Sequence, residues 1–270
     1  MEIGRADDKV VVITGGAGVL GSAISEGLCR AGAIVCILGR NLEKAERKAE
    51  EITYEGGTCL AYKADVLDKV SLVKVREAIL AEHQKIDILI NCAGGNLEGA
   101  TISPAETFAD LSIDDFKKVN DLNLLGSVLP TQVFVEPMVK HNKGCIINIS
   151  SMAADRAITR VMGYSAAKAG IDNFTKWLAV ELNQKHGPNL RVNSIAPGFY
   201  LADQNRSLLT NPDGSLTERG QQIISKTPMG RFGNPKELIS TVLWLCSDAS
   251  SFITGIVVPV DGGFSAYSGV

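Results

Sequence analysis

Short runs of β-branched and aliphatic residues recur along the chain, and between them lie longer stretches whose apolar positions repeat every three to four residues. VVVIT (10–14), IVCIL (34–38), CLAYKA (59–64), IDILIN (86–91), CIINIS (145–150), RVNSIA (191–196) and IVVPV (256–260) have the length and composition of buried strands. Helices are predicted over 20–31, 42–55, 70–82, 114–140, 163–185 and 235–247. In ETFADLSIDDFKKVNDLN acidic residues precede the apolar repeat, where the positive end of a helix dipole favours them. Parallel strands alternating with helices need right-handed crossovers, which place helices on both faces of the sheet. The predicted fold is therefore α/β: a doubly wound, mostly parallel sheet of about seven strands in a single domain, 1–270. Over 199–227 the periodicity lapses into polar residues around the turn signal NPDG. An irregular segment of that length in a compact domain suits a lid.

Composition narrows the function classes. The chain is 45% hydrophobic and 21% charged, enough to bury a sizeable core, and its net charge of -3 offers no basic face to nucleic acid or to an anionic membrane. No run approaches the roughly 18 to 20 apolar residues of a membrane span, and the start of the chain has no apolar run with a cleavage site, so a soluble, cytoplasmic protein is expected. Cys29, Cys36, Cys59, Cys92, Cys145 and Cys246 are scattered singly, with no CxxC pair and no histidine at ligand spacing. They read as small core residues in a reducing compartment, and no metal site is expected. His83, His141 and His186 fall near predicted helix ends, where solvated side chains are expected.

The first strand runs directly into GGAGVLG and then an alanine-containing helix. Gly16, Gly18 and Gly21 open a helix immediately after strand one, the context that a dinucleotide fingerprint requires. Glycines without Cβ atoms let backbone N–H groups and the helix N-terminus approach a pyrophosphate, so Gly15, Ala17, Gly18, Val19 and Leu20 are candidate cofactor contacts. After the second strand come Gly39, Arg40 and Asn41, with no carboxylate to hold a ribose 2′-hydroxyl. An arginine there suits a 2′-phosphate, which favours NADP with NAD as the alternative, although Arg40 also reads as a surface residue stacking on adenine. Asp65, beside Val66, could accept from an adenine amino group or cap a helix. Asn91, Ala93 and Gly94 end strand four with residues whose backbone could lie close to the ribose.

The segment YSAAK places Tyr164 and Lys168 on one helix face with small residues between them. A free phenol, with a pKa near 10, is a poor proton shuttle at neutral pH. A cation about 4 Å away at an effective dielectric near 20 would favour the phenolate by roughly 4 kcal/mol before desolvation subtracts its share. Ser150 and Ser151 stand at the carboxyl end of strand five, where a hydroxyl points into the ligand crevice of such a sheet and can hydrogen-bond a carbonyl oxygen.

TGGAGVLG, NCAGG, NLLG, NISS, YSAAK and APG, in this order over essentially the whole chain, resemble the short-chain dehydrogenase/reductase family. The resemblance implies a Rossmann-type fold, a Tyr164 general acid-base, a Lys168 that lowers its pKa and holds the nicotinamide ribose, and a Ser151 that orients the substrate carbonyl. It further implies that Asn123 supports a proton-relaying water, that Pro197 and Gly198 pass beside the nicotinamide, and that the protein is a homotetramer. Val19 departs from the family's TGxxxGxG and matches the TGxxGxxG of epimerase-like members, whose larger C-terminal substrate domain 270 residues hardly accommodate.

DLNLLGSVLPTQVF, APGFYLADQNRSLLTNPDGSLTERG, TPMGRFG and PVDGGFSAYSGV resemble the branch that interconverts D-fructuronate and D-mannonate. The implied small-molecule substrate is an anionic sugar acid, for which Arg156, Arg160, Asn205 and Arg206 are candidate contacts, with Arg206 preferred because a lid arginine could close over the substrate. A gluconate 5-dehydrogenase or other polyol or ketone reductase stays open, as does a dinucleotide-sensing regulator without turnover.

Overall fold

The computed structural model describes residues 4–201 and 203–269. All seven strand runs form strands: β1 Val10–Thr14, β2 Ile34–Gly39, β3 Thr58–Lys63, β4 Ile88–Asn91, β5 Gly144–Ile149, β6 Leu190–Pro197 and β7 Val257–Val260. They pair in parallel throughout, in the order β3-β2-β1-β4-β5-β6-β7. Side chains alternate across β1, so Val11 and Ile13 enter one core with Ile24, Leu28, Val242 and Leu245, while Val10 and Val12 enter the other with Leu72, Ile79, Phe134 and Leu182. Each fully buried aliphatic side chain contributes roughly 1.5–3 kcal/mol, and two such layers make the sheet a rigid platform.

Helices α1 Val19–Arg30, α2 Leu42–Tyr54 and α9 Ile239–Cys246 cover one face; α3 Lys69–His83, α5 Gly126–Lys140 and α6 Met162–His186 cover the other. The single helix predicted over 114–140 is divided: α4 Ile113–Asn120 passes through a π-turn, Asp121–Leu125, into α5. Pro130 lacks an N–H for the fourth residue before it, Gly126, so regular bonding is already interrupted just past the wide turn. The polar stretch 199–227, expected to be irregular, holds two short helices, α7 Asp203–Leu209 and α8 Glu218–Ser225. Thr217 caps α8 by accepting from the Gly220 N–H at 3.1 Å.

All six cysteines are free. Scattered singly in sequence, four of them meet in space as thiol pairs, Cys29 with Cys59 and Cys145 with Cys246. Among the described residues, no helix is long and apolar enough to cross a membrane, and no cluster of metal-ligating side chains occurs.

Candidate active site

Strand order reverses between β1 and β4, and a crevice opens at the carboxyl ends of such neighbours because their connections leave in opposite directions. Thr14 closes its floor: its hydroxyl oxygen accepts from the Cys92 and Ala93 N–H groups, each at 3.1 Å. Gly15 has φ +65°, and a Cβ there would lie 2.9 Å from the Ala93 Cα. A Cβ at Gly21 would lie 2.2 Å from the Gly15 carbonyl oxygen, so the first turn of α1 packs flat on the loop. Gly18 is the N-cap of α1, with no capping side chain and no acidic residue in the first turn. The N–H groups of this turn therefore have neither a side-chain acceptor nor a local anion, which fits a pyrophosphate. Val19 opens α1 with helical backbone, so the departure from glycine there imposes no strain. Ala17 and Leu20 flank the loop, partly exposed.

At the β2 exit Arg40 is exposed, and the Asn41 side chain caps α2, accepting from the Lys44 N–H at 2.9 Å. Asp65 takes up the turn-capping role, accepting from the Leu67 N–H at 2.9 Å, and Val66 is buried against Gly126. The Asn91 side chain turns away from the crevice. It donates to Thr131 Oγ1 and Asn148 Oδ1, both at 2.8 Å, within a buried polar ladder that continues from Asn148 to Thr175 at 2.9 Å. The small residues Ala93 and Gly94 follow Asn91, partly exposed and exposed respectively. Pro197 ends β6, and Gly198 donates to the Val260 carbonyl at 3.0 Å.

The two serines at the β5 exit divide. Ser150 is buried, with its hydroxyl 3.4 Å from the Lys168 carbonyl, whereas Ser151 accepts from the Ala153 N–H at 3.2 Å and hydrogen-bonds the Tyr164 phenol. The Lys168 ammonium donates to the Ile149 carbonyl at 2.7 Å and lies 5.5 Å from the centre of the Tyr164 ring. Ser151, Tyr164 and Lys168 thus converge at the end of one strand and the start of one helix. Their electrostatics differ from expectation. Burial raises the Tyr164 pKa above 10.0, and the Ser151 hydrogen bond opposes this. Burial also acts on the lysine itself, bringing its pKa down to about 8, because a side chain only 4% exposed loses its hydration while a neutral carbonyl replaces little of it.

Asn123 lies in the π-turn, fully buried. Its amide donates to the Gly95 carbonyl at 2.7 Å and to the Val119 carbonyl at 2.8 Å, and accepts from the Gly95 N–H at 3.1 Å. The side chain expected to support a water pins the loop beside Lys168. A Cβ at Gly94 would meet Asn123 Oδ1 at 2.6 Å and Lys168 Nζ at 3.4 Å, so the wide turn brings amide, glycine and ammonium together.

The substrate candidates separate. Arg156 donates to the Ser265 carbonyl and lies 3.5 Å from Asp155, directed toward the C-terminal segment. Asn205, on α7, donates to the Tyr200 carbonyl at 2.9 Å. Arg206 is exposed on α7. Arg160 stands four residues ahead of Tyr164 with φ +76°, its carbonyl accepting from the Ile102 N–H at 3.0 Å.

A glycine loop at a parallel-sheet switch point, followed by Ser151, Tyr164 and Lys168, accompanies a match of residues 15–265 to the enoyl-(acyl carrier protein) reductase family model. The chain belongs to the short-chain dehydrogenase/reductase family. Like its relatives in this family it is an oxidoreductase. It is 48% identical over 97% of its length, and 96% of the relative's, to the uncharacterized oxidoreductase UxuB of Bacillus subtilis (strain 168). It is similar to a Haemophilus influenza structure provisionally assigned as a D-mannonate oxidoreductase, with bound NAD, at TM-score 0.92, 44% identity and 98% coverage of both chains. A structure from Beutenbergia cavernae, provisionally assigned as an NAD(P)-dependent gluconate 5-dehydrogenase and holding NADP at low occupancy, matches at TM-score 0.86 and 30% identity over 98% of this chain and 100% of that one.

Three residues of this short-chain dehydrogenase/reductase escape the sequence reading. In the sequence Thr14 reads as the last residue of a strand and the first of TGGAGVLG, with no role of its own, although a hydroxyl before a glycine loop is the available signal. Asn96 donates to Thr101 Oγ1 at 2.5 Å and leaves its own buried carbonyl oxygen without a partner. Arg219 of α8 donates to Thr159 Oγ1 and to the Thr159 carbonyl, each at 3.3 Å, and joins α8 to the loop that precedes Tyr164. No local pattern singles it out.

Proposed function

We propose that the protein is an NAD(P)(H)-dependent reductase of sugar-acid keto groups, acting between D-fructuronate and D-mannonate. The observation that carries this reading is the convergence of Ser151, Tyr164 and Lys168 at the β5 exit, beside a loop shaped for a pyrophosphate. When bound, the nicotinamide supplies or accepts the hydride. Loop residues 15–20, the backbone at 91–94, Lys168, Pro197 and Gly198 would hold the dinucleotide; Asp65 and Val66 would flank its adenine.

Ser151 presents a hydroxyl that orients a substrate carbonyl oxygen, and Tyr164, kept protonated by its raised pKa, donates the proton as that oxygen gains charge. Lys168, charged below about pH 8, fixes the tyrosine face and reaches the ribose side of the cleft. The H. influenza neighbour supports the sugar-acid branch, and the B. cavernae neighbour supports gluconate 5-dehydrogenase as the competing substrate class. Exposed Arg40, with no acid at the β2 exit, supports NADP(H) as the better cofactor, although the H. influenza neighbour holds NAD. Trp177 and Val180, 58% and 57% exposed on α6, support a homo-oligomer, with the tetramer as our reading. Six free cysteines suit a reducing, cytoplasmic location.

Oxidation of NADPH and of NADH is followed against D-fructuronate, 5-ketogluconate and simple ketones. Fastest turnover of D-fructuronate supports the proposal; preference for 5-ketogluconate transfers the chain to the gluconate branch. Dinucleotide binding without turnover of any ketone leaves the regulator.

A further inference from the structure

An anionic substrate needs a cationic contact beyond its reacting carbon, and of the four candidates only Arg160 and Arg206 are left uncommitted by the hydrogen bonds described above. The lid supplies another. Arg219 projects from α8 onto Thr159, the residue before Arg160, through both ends of its guanidinium. These bonds bring the lid across to the loop that enters α6 two residues ahead of Tyr164.

Three observations single this junction out. Arg160 is held at φ +76°, a left-handed conformation that strains a residue with a Cβ, while its carbonyl is anchored by Ile102. Arg219 is partly buried; that burial lowers its pKa, and the like charge of Arg160 lowers it further. Among the described residues neither arginine has a carboxylate within ion-pair distance, although Arg156 and Arg231 elsewhere in the chain each have one. Two like charges gathered on a strained loop and a lid helix, with no protein anion between them, are an arrangement that an external anion relieves.

We infer that Arg160 and Arg219 together form the carboxylate-binding clamp of the substrate site, one contributed by the catalytic loop and the other by the lid. The inference rests on the reductase reading and deepens it: a keto acid completes the bridge between α8 and the Tyr164 loop, whereas a neutral ketone leaves the two guanidiniums unpaired. This places Arg219, rather than Arg206, as the lid arginine that senses the substrate's charge.

The test uses the full-length enzyme with Arg219→Gln, Arg219→Lys and Arg160→Gln. Specificity constants are measured for D-fructuronate, or 5-ketogluconate if that is preferred, and for an uncharged ketone. The ratio of acid to neutral specificity constants falls by about 10- to 100-fold in either glutamine variant, as expected for loss of a charge-assisted hydrogen bond, and less in Arg219→Lys. A ratio within twofold of wild type in both glutamine variants overturns the clamp, even if overall rates drop because the lid is loosened. Where no ketone is turned over, the reductase reading fails separately, and calorimetric binding of the keto acid decides: binding lost in both variants supports the clamp, and binding absent in wild type or retained in the variants overturns it.

Discussion

The Lys168 ammonium lies over the Tyr164 ring, 5.5 Å from its centre, and donates to the Ile149 carbonyl at 2.7 Å. In this arrangement the Ser151 hydrogen bond opposes the burial-driven rise of the phenol's pKa. The cofactor-free chain should therefore titrate Tyr164 above 10.0, measured as the phenolate absorbance lost in Tyr164→Phe. A midpoint below the ordinary tyrosine value would show that Lys168 already acts on the hydroxyl before any ligand binds.

Burial of Lys168 also bears on stability. Its folded pKa of about 8 lies below the unfolded 10.5, so the folded state binds the proton less well, and stability falls as pH drops from 10.5 toward 8. Below about pH 8 the full penalty applies, roughly 3 kcal/mol from the difference in pKa. Lys168→Met removes it and also removes the bond to Ile149, which contributes about 1–2 kcal/mol. Denaturant unfolding at pH 7 should show a gain of about 1–2 kcal/mol together with lost activity, and above pH 10.5 the gain should give way to a loss, because only the missing bond to Ile149 remains. Destabilisation at pH 7 would mean that the ammonium is better solvated than its surroundings imply.

The parts legible in the sequence are those whose signal is local. β-branched runs specify the strands because a parallel sheet buries them on both faces, and YSAAK specifies a shared helix face because the spacing alone does so. What escaped is set by distant partners. The π-turn around Asn123 keeps the apolar pattern of an unbroken helix, and its purpose lies at Gly95, met only in the fold. Arg156 reads as a substrate arginine until Ser265, 109 residues away, takes its guanidinium. Asn91 ends strand four as expected, but its side chain belongs to the ladder with Asn148 and Thr131 on the helix side of the sheet. Arg219 sits in a polar stretch where one arginine resembles any other, and only its contact with Thr159 distinguishes it.

Arg40 decides the cofactor prediction. It is exposed beside Gly39, where a Cβ would make only ordinary contacts, 3.8 Å from the Asn41 carbonyl oxygen and 3.9 Å from the Ala45 Cβ, and Asn41 is already committed to the Lys44 N–H. Arg40→Ala should raise the KM for NADPH by about 10- to 100-fold, the range for loss of one charged contact to phosphate, with a change of less than threefold for NADH. Equal effects on the two cofactors would assign Arg40 to adenine stacking instead.

The central claim is that the Tyr164 hydroxyl, hydrogen-bonded to Ser151, is the proton donor of the reduction. Tyr164→Phe removes that one oxygen and keeps the ring under Lys168. Its kcat for the best keto acid of the substrate panel, measured with cofactor binding confirmed by fluorescence, should fall by about 10²–10⁴-fold. A kcat within tenfold of wild type, with the cofactor still bound, would contradict the account.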